Sequence, residues 1–193
     1  MRVFVAGATG VIGIRLVPLL VREGHDVTAL TRDPAKIPRL TELGATAVVC
    51  DVYDRDRLIE VVRAARPEVV VHQLTDLPDD PALLPERAAA NNRMRREGTA
   101  NLLAAARAGA ARRVLAQSVA WELPGDGGAA VREMETAVID AGGVIIRYGR
   151  FYGPGTYYED ALPDPPRIHL DEAARRTVPL LDAATGVVVV AEP

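Results

Sequence analysis

The sequence predicts an α/β domain: a doubly wound, parallel sheet of about seven strands with helices on both faces. Three observations predict it. Short β-branched runs alternate with alanine- and leucine-rich stretches along the whole chain. The strand runs are nearly continuous in apolar character, as strands covered on both faces are, where a sheet with one wet face would alternate. Helix-length segments separate the strand signals, so neighbouring parallel strands are joined by right-handed crossovers.

The elements follow in order. Val3–Ala6 is the first strand, and a helix over about Val11–Glu23 ends at Gly24. Val27–Leu30 is the second strand, followed by a helix over about Pro34–Leu43 that Gly44 stops. Ala47–Cys50 is the third, and Arg55–Ala65 is a helix with Asp54 as N-cap and Pro67 just past its end. Val69–His72 leads into a proline-bearing loop, then a long helix over about Pro85–Ala108 closed by Gly109. Val114–Gln117, a helix over about Ala130–Ala141 and Val144–Arg147 come next. A last helix, Glu172–Leu181 with Asp171 as cap, precedes the strand Val187–Val190. Leu74–Pro85 and Tyr152–Pro166 read as loops at strand ends, where an open α/β sheet binds its ligand.

Bulk properties narrow the function classes. The 193 residues suit one domain, 1–193, and are short for two. A formal charge of -3 gives no whole-molecule attraction to nucleic acid or an anionic membrane. The single cysteine, Cys50, excludes an internal disulfide and a multi-thiolate metal site, and no metal is expected; in its apolar run it reads as a buried, reduced thiol. The chain enters a strand pattern at once, without the regions of a signal peptide, and no apolar run approaches the roughly 20 residues that span a bilayer. A cytoplasmic protein is expected.

The first strand runs into Gly7-Ala8-Thr9-Gly10-Val11-Ile12-Gly13, which opens the first helix. Gly7 allows the tight turn, Gly10 the approach of backbone to a pyrophosphate, and Gly13 the close packing of helix on strand, while the helix start offers free N–H groups to phosphate. The strand–loop–helix context makes this a Rossmann dinucleotide loop, with Thr9, Val11 and Ile12 bordering the phosphates. Roughly 20 residues on, such a site places an acidic residue on the ribose 2′-hydroxyl; here the second strand ends in Leu30-Thr31-Arg32-Asp33. Arg32 can fork onto a 2′-phosphate, and Thr31 removes the carboxylate that would repel it, which favours NADP. In the other reading Arg32 is solvated and Asp33 turns inward to serve NAD. After the third strand, Asp51 can accept from the adenine amino group with Val52 bordering the ring, or else cap a turn. Gln73, Leu74 and Thr75 leave the fourth strand beside the cofactor's ribose, and His72 reads as packed, not catalytic.

These residues resemble the epimerase/dehydratase branch of the short-chain dehydrogenase/reductase superfamily, over nearly the whole chain. The glycine loop, the helix Glu97–Arg107, the strand Arg113–Ser118, the turn Arg147–Gly155 and the segment Ile168–Ala174 are each similar to that branch's segments. The resemblance implies that Ser118 stands where the family has its catalytic Ser/Thr and can hydrogen-bond a substrate carbonyl. It also implies a Tyr-x-x-x-Lys pair on the fifth helix. With Glu135 matched to the family's helix glutamate, Gly127 and Val131 stand in those places. Proton transfer by a placed group is worth about 10²–10⁴-fold. Tyr148 or Tyr152, in the turn after the sixth strand, is left to supply a phenol or else to pack there. Arg132 is the cation nearest the missing lysine and a poor proton shuttle. Arg95 stands where many members have asparagine, in a charge run that reads as a solvated face or a phosphate contact.

The family's substrate domain is reduced to a vestige at 152–167, so the cleft is shallow or completed by a second chain. The expectation is an NADP(H)-binding reductase or epimerase for a small carbonyl or hydroxyl compound, NAD being the other cofactor choice, with Ser118 polarising the substrate oxygen. The alternative is a non-catalytic dinucleotide-binding redox sensor or regulatory protein. The resemblance also suggests a homodimer through the long fourth and fifth helices.

Overall fold

The structure is a computed structural model that describes residues 1–192. Seven parallel strands form the main sheet: β1 (Arg2–Ala6), β2 (Asp26–Thr31), β3 (Thr46–Val49), β4 (Val69–His72), β5 (Arg113–Val119), β6 (Val144–Tyr148) and, last in the chain, β9 (Gly186–Val190). Two three-residue strands, β7 (Arg150–Tyr152) and β8 (Arg167–His169), pair in parallel as a second, small sheet. The main sheet has the order β3-β2-β1-β4-β5-β6-β9. The order reverses between β1 and β4, which opens a crevice at the carboxyl ends of those two strands.

Helices cover both faces. On one side lie α1 (Gly13–Arg22) and α7 (Leu170–Thr177); on the other lie α3 (Arg55–Ala65), α5 (Thr99–Ala108) and α6 (Gly125–Asp140). Two further helices, α2 (Ile37–Glu42) and α4 (Leu84–Arg93), complete the set. Alternate strand residues feed the two cores. Val3, Val5, Val71, Leu115 and Ile146 meet Leu16, Leu20 and Ala173 on the first face. Phe4, Ala6, Val70 and Val114 meet Leu58, Val62, Leu102 and Ala105 on the second.

The structure departs from the sequence expectation at four places, each with a local cause. The long helix is α4 and α5 joined by a π-helical turn, Met94–Gly98. α6 starts five residues early, through a glycine run that reads as a breaker, because Arg96 ties its first turns down by forking onto Asp126 and Glu133. The cap of the last helix is His169, whose Nδ1 accepts from the Asp171 N–H; Asp171 lies inside the first turn. β7 and β8 lie in or beside a segment read as loop, since strands of three residues carry no periodicity. Asp54 does cap α3, accepting from the Arg57 N–H at 3.1 Å. Cys50 is buried, and burial pushes its thiol up to about 11. No described helix is long and apolar enough to cross a membrane.

Candidate functional site

The turn after β1 is dictated by backbone contact. Gly7 has φ +87°, and a Cβ there would lie 2.4 Å from the Gln73 carbonyl oxygen. A Cβ on Gly13 would lie 2.1 Å from the Gly7 carbonyl oxygen. The loop is therefore locked against the exit of β4 on one side and the start of α1 on the other. α1 has no side-chain cap and no acidic residue in its first turn. The N–H groups of Ile14, Arg15 and Leu16 are bonded to the Gly10 and Ile12 carbonyls, so those of Val11, Ile12 and Gly13 are the ones left for an external acceptor, with the positive end of the helix dipole behind them. Val11 is exposed at the rim, while Ile12 is buried beneath it. These residues fit a dinucleotide pyrophosphate. Arg15, one turn along, clamps the loop: it donates to the Val11 carbonyl, to Asp171 at 2.8 Å and to the Pro154 carbonyl at 2.6 Å.

At the end of β2, Thr31 is buried and its hydroxyl accepts from the Asp33 N–H at 3.1 Å. Asp33 accepts from the Ala35 N–H at 2.9 Å and caps the next turn. Arg32 is two-thirds exposed and lies 3.8 Å from Asp76, which is gripped more closely by Arg87 at 2.8 Å. Asp51 accepts from the Tyr53 N–H at 2.9 Å, the turn-capping geometry, and keeps its second oxygen free. Val52 is buried, and its carbonyl accepts from Asn101. Arg32, Asp51 and Val52 all stand at the carboxyl ends of β2 and β3, on one side of the crevice.

The β4 exit is a hydrogen-bonded hub. His72 Nδ1 accepts from the Leu74 N–H, so the ring proton is on Nε2 and is donated to Thr99 at 2.9 Å. Burial lowers this imidazole to about 4, which keeps it neutral and packed. Leu74 also accepts from Gln117, and Thr75 is exposed. Gln73 is buried and donates to the Tyr148 hydroxyl at 3.3 Å; its own carbonyl oxygen, Oε1, has no partner among the described residues. The Thr177 hydroxyl donates to the Ala173 carbonyl, so Tyr148 must donate to Thr177, at 2.6 Å. A directed chain results: Gln73 to Tyr148 to Thr177 to Ala173.

Of the two readings of Tyr148, that chain supports packing. The residue is 2% exposed, and burial pushes its phenol up to about 12. It is a packing residue with both hydrogen-bond roles filled. Ser118 is engaged as well. It lies opposite Arg147 in the β5–β6 register, one residue from the pair Val119–Tyr148, so Ser118 and Tyr148 point to opposite faces of the sheet. Ser118 is buried and donates to Glu135 at 2.5 Å, which leaves no proton to polarise a substrate carbonyl. Glu135 is forked by Arg147 at 2.9 and 2.5 Å. Burial raises the Glu135 carboxyl, but the bonds from Arg147 and Ser118 outweigh it and hold it below the ordinary range. Tyr152, on β7, donates to Glu192 at 2.5 Å and packs edge-on against His169. The three residues are not brought together, and no proton relay is assembled from them.

The two proline-bearing loops do meet. Tyr157 donates to the Pro78 carbonyl, and a hollow of about 430 Å³ opens between Asp79, Pro81 and Tyr157–Ala161. Sequence reasoning missed Glu135 as the anchor of Ser118, and it missed Arg15, Asp76 and Arg87. None has a spacing signal, because their partners are distant in sequence.

A family model described as NAD(P)H-binding matches residues 7–141, which run from the glycine loop to the end of α6. The chain belongs to the NAD(P)H-binding family. Its members' cofactor is thus a nicotinamide dinucleotide, in keeping with the cradle at Gly7–Gly13. A 3-diazoavenalumate denitrifying reductase from a Streptomyces species is 46% identical over 185 residues, covering 82% of this chain and 59% of that protein. The chain therefore spans about three-fifths of that relative's length. A decarboxylating sterol-4-alpha-carboxylate 3-dehydrogenase from Dictyostelium discoideum is 30% identical over 70 residues, 36% of this chain and 21% of that one. Among solved structures, the UDP-glucose 4-epimerase of Thermus thermophilus, complexed with NAD, superposes with TM-score 0.80 at 19% identity, covering 99% of this chain and 78% of that one. The Thermotoga maritima UDP-glucose 4-epimerase gives 0.81 at 16%, covering 99% and 77%. At such identities the likeness is one of fold: this NAD(P)H-binding chain has the Rossmann sheet of those epimerases.

Proposed function

We propose that this chain binds NADPH and reduces a small substrate in which a diazo group, carried on a carboxylate, is replaced by hydrogen. The observation that carries this reading is an intact cofactor cradle beside a site without a proton relay. Reduction of a carbonyl or epimerisation through one needs a placed proton donor. Loss of dinitrogen does not. Reduced nicotinamide supplies a hydride, and a diazonium carbon is left as C–H while dinitrogen departs, so that R–N₂⁺ and NADPH give R–H, N₂ and NADP⁺. The name of the Streptomyces relative, at 46% identity, supports the same substrate class.

In this reading Gly7, Thr9, Gly10, Val11, Ile12 and Gly13 hold the pyrophosphate. Asp51 and Val52 border the adenine, and Gln73, Leu74 and Thr75 border the nicotinamide-side ribose. Arg32 takes the 2′-phosphate. NADPH is preferred to NADH because Asp33 is committed to the Ala35 N–H and Arg32 is only loosely engaged by Asp76. Exchanging Arg32→Asp is expected to weaken NADPH roughly 10- to 100-fold while changing NADH little; unchanged NADPH affinity would sink that assignment.

The reaction is tested with 4-carboxybenzenediazonium and NADPH, following nicotinamide absorbance and benzoate formation against an enzyme-free blank. Benzoate formed in step with NADPH consumed supports the proposal. Tight NADPH binding with no acceleration over the blank refutes it and leaves a dinucleotide-binding protein.

A further inference from the structure

Two arginines converge on one carboxylate oxygen at the crevice. Asp76 Oδ1 lies 2.8 Å from Arg87, on α4, and 3.8 Å from Arg32, at the end of β2. Arg32 follows β2 and Asp76 follows β4, with β1 between those strands. The cluster therefore joins the two sides of the crevice where the glycine loop leaves β1. Its two ion pairs are unequal. The shorter is a charge-assisted hydrogen bond, whereas 3.8 Å is Coulombic contact without one.

The carboxylate is the fixed member. Its side chain is only 12% exposed, and the Asp76 N–H donates to Oδ1 of the buried Asn91 at 3.1 Å. Arg87 and Asn91 stand one turn apart on α4, so the backbone and the side chain of Asp76 are tied to the same helix. Arg32 is the free member. Its side chain is 67% exposed, and Asp76 is its only carboxylate contact among the described residues. The neighbouring carboxylate, Asp33, is turned to the Ala35 N–H.

We propose that Asp76 is a built-in competitor for the 2′-phosphate of NADPH, and that Arg87 limits the competition by keeping the carboxylate engaged. In the free protein Arg32 leans on Asp76. When NADPH binds, Arg32 exchanges that contact for the phosphate, and Asp76 stays with Arg87. The exchange is favourable because phosphate oxygens accept a guanidinium fork, which the 3.8 Å contact does not provide. NADH carries a hydroxyl at that position, offers Arg32 no anion and leaves the pair as it is. The charge of Asp76 therefore acts on NADPH affinity alone, through Arg32, and makes Asp76 a specificity-determining residue. The inference rests on the reading of Arg32 as the ligand of the 2′-phosphate, and its test separates the two.

NADPH and NADH are titrated, by nicotinamide fluorescence, into the unaltered protein, Asp76→Asn, Arg87→Met, the double variant and Arg32→Asp. Asp76→Asn removes the charge and keeps the shape. It is expected to tighten NADPH about 2- to 5-fold, the scale of an exposed ion pair, with NADH unchanged. Arg87→Met releases Asp76 to Arg32 and should weaken NADPH by a similar factor. That weakening should vanish in the double variant, because the carboxylate through which Arg87 acts is gone. Should Asp76→Asn fail to fold, Arg87→Met carries the test through the ratio of NADPH to NADH affinity, which it should lower. No gain for NADPH in Asp76→Asn, or an equal gain for NADH, overturns the competition while a loss in Arg32→Asp upholds the cofactor reading. A loss in Arg87→Met that persists in the double variant makes Arg87 a direct phosphate ligand and overturns it too. Unchanged NADPH affinity in Arg32→Asp overturns the cofactor reading itself, and the competition with it.

Discussion

The two halves of the sheet solve different problems. Around β1, β2 and β3, the functional geometry is made by backbone: Gly7 and Gly13 are required because neighbouring main-chain atoms fill the space of a Cβ. Around β5, β6 and α6, it is made by side chains. Ser118 is held by Glu135 and Arg147 on one face, and Tyr148 by Gln73 and Thr177 on the other. A backbone-built site tolerates no change at its glycines but is indifferent to most other positions. A side-chain-built region can lose its original chemistry and keep its packing. Cofactor binding is therefore the stricter constraint that the fold enforces, and the substrate side is free to be rewritten.

The sharpest way to break the comparison is Gly13→Ala. Its Cβ would meet three backbone atoms of Gly7 and Ala8 within 2.8 Å. Neither β1 nor α1 can retreat without opening the core at Leu16 and Val17. NADPH binding, followed by nicotinamide fluorescence, should fall by more than about 100-fold, with a destabilisation of about 3 kcal/mol or more in urea unfolding. A variant that binds normally would mean that the loop is not built by backbone contact.

This difference also explains what the sequence disclosed. Glycine spacing, strand runs and helix punctuation are local, and from them the seven main strands, their parallel pairing and the position of the glycine loop are all readable. At the end of β2 the strand boundary near Thr31 was legible, while the bond by which Asp33 caps the next turn was not read. Ser118 and Glu135 lie 17 residues apart, Tyr152 and Glu192 lie 40 apart, and Gln73 and Tyr148 lie 75 apart. No spacing rule connects such pairs, so candidates for proton transfer looked available until their partners were in view. The early start of α6 was hidden because glycines at 125, 127 and 128 argue against a helix, while the Arg96 clamp that holds it comes from another element.

On the substrate half, the largest effect should come from Glu135→Ala. It strips Arg147 of its fork and Ser118 of its acceptor. The cost is about 2–3 kcal/mol, kept at that level because the Arg147 side chain is 42% exposed. The carboxyl's folded pKa lies below its unfolded value. Its contribution is thus complete above the unfolded pKa and lost as pH falls through the folded one. The stability gap between the unaltered protein and the variant should therefore shrink as urea unfolding is moved from about pH 7 to about pH 3. A gap that stays constant would show that the ionised carboxylate is not what anchors this face.

Tyr148→Phe is a milder test of the same region. It removes the middle of the chain from Gln73 to Ala173 without creating a cavity, at a cost of about 1–2 kcal/mol. Turnover with 4-carboxybenzenediazonium should be unchanged, because the phenol packs and does not transfer a proton. A loss of turnover beyond about 100-fold, with stability preserved, would return Tyr148 to the reaction.

The smallest effect is the most diagnostic of free space. Gly127 sits in the first turns of α6 with nothing closer than 3.9 Å to its Cβ position, whereas a Cβ on Gly128 would lie 2.1 Å from the Leu123 carbonyl oxygen. Alanine costs a helix less than glycine does, by roughly 0.5–1 kcal/mol. Gly127→Ala should therefore stabilise the protein by about 0.5 kcal/mol, and Gly128→Ala should destabilise it by several times as much. Two adjacent glycines that read alike in the sequence would then separate by sign in one unfolding experiment. The first would then be dispensable to the fold, and the second required by the Leu123 carbonyl oxygen beside it. Equal destabilisation by both would mean that the start of α6 is closely packed throughout.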